Sequence, residues 1–450
     1  MHYLLGMIAT IIALLLIAAA LFKLFIWWVA TDYKLTDEQY QEAKKTKFCI
    51  VGGGVSGILV GYFFKLMRLD FVIIERGSEI GGTWFWNTYP GVGCDVPSHL
   101  YSFSWFMNPN WSKLFSLGDE IQQYVRESWC FAGLKPHTML NTNVEKCVWQ
   151  TKANKWRVTI QYSNGSIEDI DFDWLISCVG GLHYPLYPDI EGRQSFKGYS
   201  WHTTKWNESV PVKGKRVGMI GNGASAVQIL PSLLDEAKHV VMFQRTAHYC
   251  LPRFQTDYGA KFKRLMAIWP FGHIVRFYMY MQREFRWLLL FSPSIGNSRF
   301  TKFILGRLYS SFLEMEIKDE ELREKLRPTF KIGCKRILIS DEYYRRMNDD
   351  NFELDNSEII KINETGIQTA DKRHNLDIII YSTGFLIKEN FDYVLPHNPG
   401  MQSAWKNEAF GSYYGTFHWQ TPNFCTFLGP MTALGHNSII FMLECQMQVI

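Results

Sequence analysis

Two short glycine-rich runs carry the residues whose types and spacing could do chemistry. The first, Gly52, Gly53, Gly54, Val55, Ser56 and Gly57, is a GxGxxG pattern between an apolar run, Lys47 to Val51, and an apolar helical stretch reaching Leu69. Glycines there let a backbone approach a pyrophosphate, and the N-terminus of the following helix offers N–H donors and partial positive charge. The next strand-like run, Phe71 to Ile74, ends at Glu75, close to the ~20-residue spacing at which a carboxylate meets a ribose hydroxyl. The second run, Gly221, Asn222, Gly223, Ala224, Ser225 and Ala226, is the GxGxxA variant, set between strand Arg216 to Ile220 and a helix reaching about Leu234. Its following strand, Val240 to Phe243, ends not in an acid but in Gln244 and Arg245. A carboxylate repels a 2′-phosphate, whereas a guanidinium binds one through two hydrogen bonds. The first loop is therefore expected to take an unphosphorylated ribose such as that of FAD, and the second NADPH. Two such sites in one chain imply electron transfer from nicotinamide to flavin.

The elements that must position these loops call for more than one core, which 450 residues can supply. An apolar fraction of 47% and a charged fraction of 20% are those of a folded globular chain. A net charge of +4 over this length, with no basic run interleaved with aromatics, argues against nucleic acid as a partner. The nine cysteines are scattered singly, without a CxxC pair or a cysteine–histidine cluster, so neither a metal site nor a dithiol centre is expected. The first thirty residues differ from the rest. Leu4 to Phe22 has only Thr10 as a polar side chain and is long enough, at ~1.5 Å per residue, to cover a ~30 Å hydrocarbon core. Lys23 can snorkel, and Trp27 and Trp28 suit the interface. Lys34, Lys44, Lys45 and Lys47 follow this span while only His2 and the terminal amine precede it, so the large C-terminal body is expected on the cytosolic side, that of the endoplasmic reticulum in a eukaryote.

Between the glycine runs lie Gly81, Gly82, Thr83, Trp84, Phe85, Trp86, Asn87, Thr88, Tyr89, Pro90, Gly91 and then Asp95. This resembles in full the [AG]GxWxxxx[FY]P[GM]xxxD signature of Baeyer–Villiger monooxygenases, which are related to flavin-containing monooxygenases. Phe196, Gly198, His202 and Trp206 spell FxGxxxHxxxW, similar to that family's fingerprint, with Asn207 where the family has proline or aspartate. GCKR at Gly333 to Arg336, DIIIYSTGF at Asp377 to Phe385 and LGPMTALGHNS at Leu428 to Ser438 follow in the family's order. The likeness runs from about residue 46 to the end; relatives continue beyond the point matching Ile450, so the sequence reads as a fragment or a shortened form.

The resemblance implies an α/β fold with two Rossmann-like domains: an FAD-binding domain of residues 46–178 and 383–450, and an NADPH-binding domain of residues 179–254 and 330–382. A helical insertion of residues 255–329 is expected to cover the cleft, and the apolar run read above makes residues 4–29 the expected transmembrane anchor. It implies that Gly52, Gly54, Gly57, Glu75, Trp84, Asp95 and Gly384 serve FAD, while Gly221, Gly223, Ala226, Arg245 and Lys335 serve NADPH. Arg336 would be the catalytic arginine and Asp95 its carboxylate partner. His202 is expected to fix the connection between the domains rather than to move protons. Asn437 or Ser438 can cap helix Ile439 to Gln448, whose N-terminus would favour an anionic reduced flavin. The implied reaction uses O2 to form a flavin C(4a)-peroxide and converts a small, lipophilic ketone into an ester or lactone. The rival readings are a heteroatom-oxidising flavin-containing monooxygenase and a catalytically impaired nucleotide-binding relative. The aromatics Trp269, Phe271, Phe277, Tyr278 and Tyr280 of the insertion are expected in a core rather than on a bilayer.

Overall fold

The computed structural model describes residues 45–291, 299–387, 391–406, 412–419, 421–429, 432 and 434–449. The proposed anchor, residues 4–29, lies outside them; among the described residues no helix is long and apolar enough to cross a membrane.

The first glycine run joins β1 (Lys47–Val51) to α1 (Val55–Leu66), and β2 (Asp70–Ile74) follows. β1 is an inner strand of a seven-stranded sheet, flanked by β2 and then β3 (Thr138–Met139) on one side and by β4 (Trp174–Ser177) on the other. These pairings are parallel. Cys49, Ile50 and Ile73 are fully buried, as expected of strands covered on both faces and therefore written as continuous apolar runs. A five-stranded sheet is built from β5 (Tyr199–His202), β6 (Arg216–Ile220), β7 (His239–Phe243), β8 (Phe352–Asp355) and β9 (Ile378–Tyr381). Its order is β8-β7-β6-β9-β5 and it is parallel throughout. The chain then returns to the first sheet, adding β10 (Ser412–Tyr413), β11 (Phe417–His418) and β12 (Phe424–Thr426), of which β12 runs parallel to β4. Helix α2 (Gly118–Phe131) covers the first sheet together with α1, and α3 (Ala224–Glu236) covers the second.

Between β7 and β8 stand, among the described residues, five helices, including α4 (Phe271–Phe291) and α5 (Arg299–Glu316). α5 packs Tyr309 and Leu313, and the residue after it, Ile317, into the core of the second sheet, while Met279 and Tyr280 of α4 pack against the core of the first. The last described helix, α6 (Ile439–Met447), starts at Ser438, whose side chain accepts from Phe441 N at 3.5 Å, and lies beside α1.

Candidate active site

The two glycine loops are built on one plan. Gly52 N donates to Ile74 O at 2.9 Å, and Gly221 N donates to Phe243 O at 3.0 Å, so each loop is closed by the strand that follows it. Both first glycines hold left-handed backbone, φ +107° and +101°. A Cβ on Gly52 would sit 2.6 Å from Cys178 O, and one on Gly221 2.5 Å from Ser382 O, so side chains are excluded on two grounds. A Cβ on Gly57 would lie 2.0 Å from Gly52 O, whereas fully buried Ala226 keeps its methyl at the matching position of the second loop. Helices α1 and α3 begin at Gly54 and Gly223 with no side-chain cap, which leaves their first N–H groups available to a ligand. An ideal Cβ on Gly223 or on Gly384, φ +90° at the turn after β9, meets no heavy atom within 4 Å. Uncapped helix starts at both loops, with open space beside the second, fit a dinucleotide pyrophosphate.

The residues ending β2 and β7 sharpen the contrast between the loops. Glu75 is buried at 5% exposure and accepts from Gly53 N and from Gly77 N, both at 2.7 Å. Gln244, at the same 22-residue separation from the second loop, accepts from Asn222 Nδ2 at 2.6 Å and donates to Lys325 O at 2.9 Å. The next residue is arginine in both halves. Arg76 is tied down, donating to Tyr184 Oη at 2.8 Å and lying over the Trp86 and Tyr184 rings. Arg245 is exposed and, among the described residues, has no ion pair. The difference is thus an acid replaced by an amide, followed by an arginine held in one half and free in the other. Lys335, also exposed, lies over Phe330 and near His248, whose pKa falls through burial and then through the Lys335 charge.

The segment after the first loop joins the two halves. Gly81 N donates to Gly53 O at 3.0 Å, and Trp84, 8% exposed, donates from Nε1 to Tyr101 Oη at 3.1 Å. Tyr89 Oη donates to Gln228 Oε1 on α3 at 2.8 Å, and Gln228 returns a bond from Nε2 to Gly93 O at 2.9 Å. A Cβ on Gly91 would sit 2.4 Å from Gln228 O. Burial pushes the Tyr89 phenol up to about 12, against a bond with Ser225, so it docks as a neutral donor. Reading the sequence did not single out Gln228, because its partners are more than 130 residues away.

Asp95 and Arg336, 241 residues apart, meet in a close ion pair. Burial works to lower the Arg336 pKa, but the charge and hydrogen bond of Asp95 outweigh it and hold it above its ordinary value. The Arg336 side chain stays 49% exposed, so it can still face a bound molecule. Two further arginines close on the same turn: Arg253 donates to Cys94 O at 2.9 Å, and Arg283 of α4 donates to Asp95 O at 3.2 Å. Burial lowers the pKa of both. The sequence marks neither of them, since only Asp95 and Arg336 sit in recognisable motifs.

His202 ends β5 fully buried, with Tyr187 and Phe385 edge-on to its ring. Its Nδ1 accepts from Thr204 N at 3.2 Å, and burial, opposed by a bond to the Gly384 backbone, pushes its pKa down to about 4. A neutral imidazole clamped between two connections suits a joint. Asn207 accepts from Ser209 N and Oγ at 3.1 and 2.6 Å, forming the turn that an aspartate would also form.

Two sheets that each carry a glycine loop and an uncapped helix start, bridged by a tryptophan-rich segment, fit a two-dinucleotide flavoprotein monooxygenase, with FAD and NADPH as its cofactors. Residues 44–397 match the family described as Flavin-binding monooxygenase-like, and the chain belongs to that family. It is 33% identical over 410 residues to the FAD-binding monooxygenase ktnD of Aspergillus niger, covering 88% of this chain and 67% of that one. It is 32% identical over 412 residues to a Baeyer-Villiger monooxygenase of Pseudomonas aeruginosa, covering 90% and 76%. Among solved structures, a complex of OTEMO with FAD and NADP matches with a TM-score of 0.78 at 25% identity, over 90% of this chain and 84% of that one. The open structure of cyclohexanone monooxygenase shares the fold, with a TM-score of 0.77 at 24% identity over 90% and 86%.

Proposed function

We propose that this protein is a membrane-anchored, FAD- and NADPH-dependent Baeyer–Villiger monooxygenase that inserts one oxygen atom of O2 into a small, lipophilic ketone, giving an ester or lactone. The observation that carries this reading is the Asp95–Arg336 ion pair, which brings the signature's last residue against the arginine of the GCKR motif. When bound, FAD reduced by NADPH supplies the electrons with which O2 is activated; the second oxygen atom leaves as water. Gly52, Gly54 and Gly57 make room for the FAD pyrophosphate, Glu75 shapes that loop and meets the ribose, and Trp84, Asp95 and Gly384 line the approach. Gly221, Gly223 and Ala226 serve NADPH in the same way, with Arg245 and Lys335 on its 2′-phosphate. Arg336 presents positive charge to the oxygen on which negative charge develops as the carbonyl is attacked. Asp95 keeps the guanidinium charged and aimed, and α4 helps to close the site against water. The stretch Leu4 to Phe22 anchors the body, which faces the cytosol.

Stopped-flow on Arg336→Ala and Arg336→Lys tests the assignment. A preorganised cationic donor is worth ~3 to 4 kcal/mol at a developing oxyanion, so Arg336→Ala should lose roughly a hundredfold or more in ester formation. Anaerobic flavin reduction by NADPH should change little, and the lysine variant should recover part of the loss. A variant that oxidises ketones at the wild-type rate, or fails only because FAD is gone, would move the heteroatom-oxidising reading ahead.

A further inference from the structure

Helix α4 is turned inside out. Three of its charged residues, Arg276, Arg283 and Glu284, face the protein: Arg276, 9% exposed, donates to Ser102 O at 2.5 Å and lies 3.5 Å from Glu444 of α6. Arg283 reaches Asp95 O, and Glu284 accepts from Asn437 Nδ2 at 2.5 Å while facing His436 Nε2 at 3.2 Å. These positions recur at helical spacing, so one stripe of the helix is charged and inward. The opposite stripe follows the same period through Tyr278, Met281, Phe285 and Leu288, which are 60%, 46%, 59% and 49% exposed. In the turn just before the helix, Ile268 and Trp269 are 58% and 69% exposed. A helix of a water-surrounded domain places these two faces the other way round, and a contiguous apolar surface calls for something to cover it.

We propose that this outward face of α4 docks on the surface of a phospholipid bilayer containing anionic lipid. Charge supports that occupant: residues 260–288 carry Lys261, Lys263, Arg264, Arg276, Arg283 and Arg286 against Glu284 alone. Arg276 and Arg283 are used inward, while Lys261, Arg264 and Arg286 are exposed beside the apolar residues. Basic side chains flanking an aromatic and aliphatic face are what an interfacial helix presents to acidic headgroups. The sequence supplies proximity, and here the inference rests on the anchor reading. From Ala30 to the first described strand at Lys47 is a linker that spans at most ~60 Å when fully extended, so an anchored body stays near the bilayer. Because the inward stripe of α4 grips Asp95 and the loop before α6, docking would set the cover of the active site against the surface from which a lipophilic ketone arrives.

The test uses the full-length holoenzyme in vesicles of phosphatidylcholine and phosphatidylserine doped with a photoactivatable phospholipid, with lipid adducts mapped by mass spectrometry after irradiation. Adducts are expected on residues 278–288 as well as within residues 4–30. The yield on 278–288 should fall roughly tenfold in the variant carrying Tyr278→Ser, Met281→Ser, Phe285→Ser and Leu288→Ser, which should retain its flavin. It should fall several-fold in pure phosphatidylcholine or in high salt. Should the combined variant fail to fold, Phe285→Ser and Leu288→Ser singly carry the test with smaller losses. Adducts confined to residues 4–30 would overturn the docking and leave the anchor standing. Adducts on 278–288 alone would uphold the docking and remove the anchor, and adducts at neither would remove both. A protein cross-linker joining the stripe to a second copy, or to residues 4–30, in place of lipid would also overturn the proposal.

Discussion

Replacing Arg245 with alanine should separate the two nicotinamide cofactors. The side chain is exposed and, among the described residues, without an ion pair, so removing it leaves no orphaned partner and should not disturb β7 or the loop. On the proposed assignment, what is lost is a charge-assisted contact with a phosphate dianion that NADH lacks. For a solvent-screened site that contact is worth about 1 to 2 kcal/mol, so the KM for NADPH should rise roughly five- to thirtyfold while that for NADH hardly moves. The matching Arg76, held by Tyr184 and Trp86, provides the contrast. Its replacement should weaken flavin retention without changing nicotinamide preference. The assay is anaerobic flavin reduction titrated with each cofactor, repeated at high salt, where the wild-type advantage for NADPH should shrink. Equal use of both cofactors by the wild type, or equal damage to both by Arg245→Ala, would refute the reasoning.

Gly57→Ala should lose most bound flavin, because the new methyl meets Gly52 O at 2.0 Å, while Gly223→Ala, whose methyl meets nothing within 4 Å, should fold normally; absorbance ratios of the purified variants check this, and equal flavin content would contradict it. Burial holds His99, His202 and His418 near pKa 4, below their unfolded value of ~6.5, so the unfolded chain binds more protons between these limits. Stability should therefore be full above about pH 6.5 and decline as pH falls towards 4, each group contributing on the order of 1 to 3 kcal/mol; a melting temperature flat from pH 7 to about 4.5 would refute this. Asn110, Asn164, Asn207 and Asn363 each stand in an N-x-Ser/Thr sequon, and the proposed cytosolic placement of the body requires that none be glycosylated in a eukaryotic cell. A mass shift on glycosidase treatment would reverse the topology.

The glycine loops were legible because their constraint is local: backbone at positive φ, a close carbonyl, and an acid or amide one strand later all fall within about 25 residues. The Asp95–Arg336 pair was legible only through a motif resemblance, since nothing local brings residues 241 apart together. The docking of Tyr89 and Gly91 on Gln228, and the gathering of Arg253 and Arg283 around Asp95, were not legible, because they depend on how one domain lies against the other. In the insertion the helical period was readable but its sense was not. Tyr280 packs on Phe441 as expected of a core residue, whereas Trp269 and Tyr278 are turned out; periodicity marks two faces of a helix without saying which one the protein keeps when the inner face is charged.

The most direct measurement is to supply the purified holoenzyme with NADPH, 18O2 and a mixed panel of lipophilic ketones and thioethers, and to identify the products by mass spectrometry. A Baeyer–Villiger monooxygenase should give esters or lactones carrying a single 18O atom, formed with matching consumption of NADPH and lost in Arg336→Ala. Sulfoxides without any ester, or NADPH consumed with no oxygenated product, would contradict it.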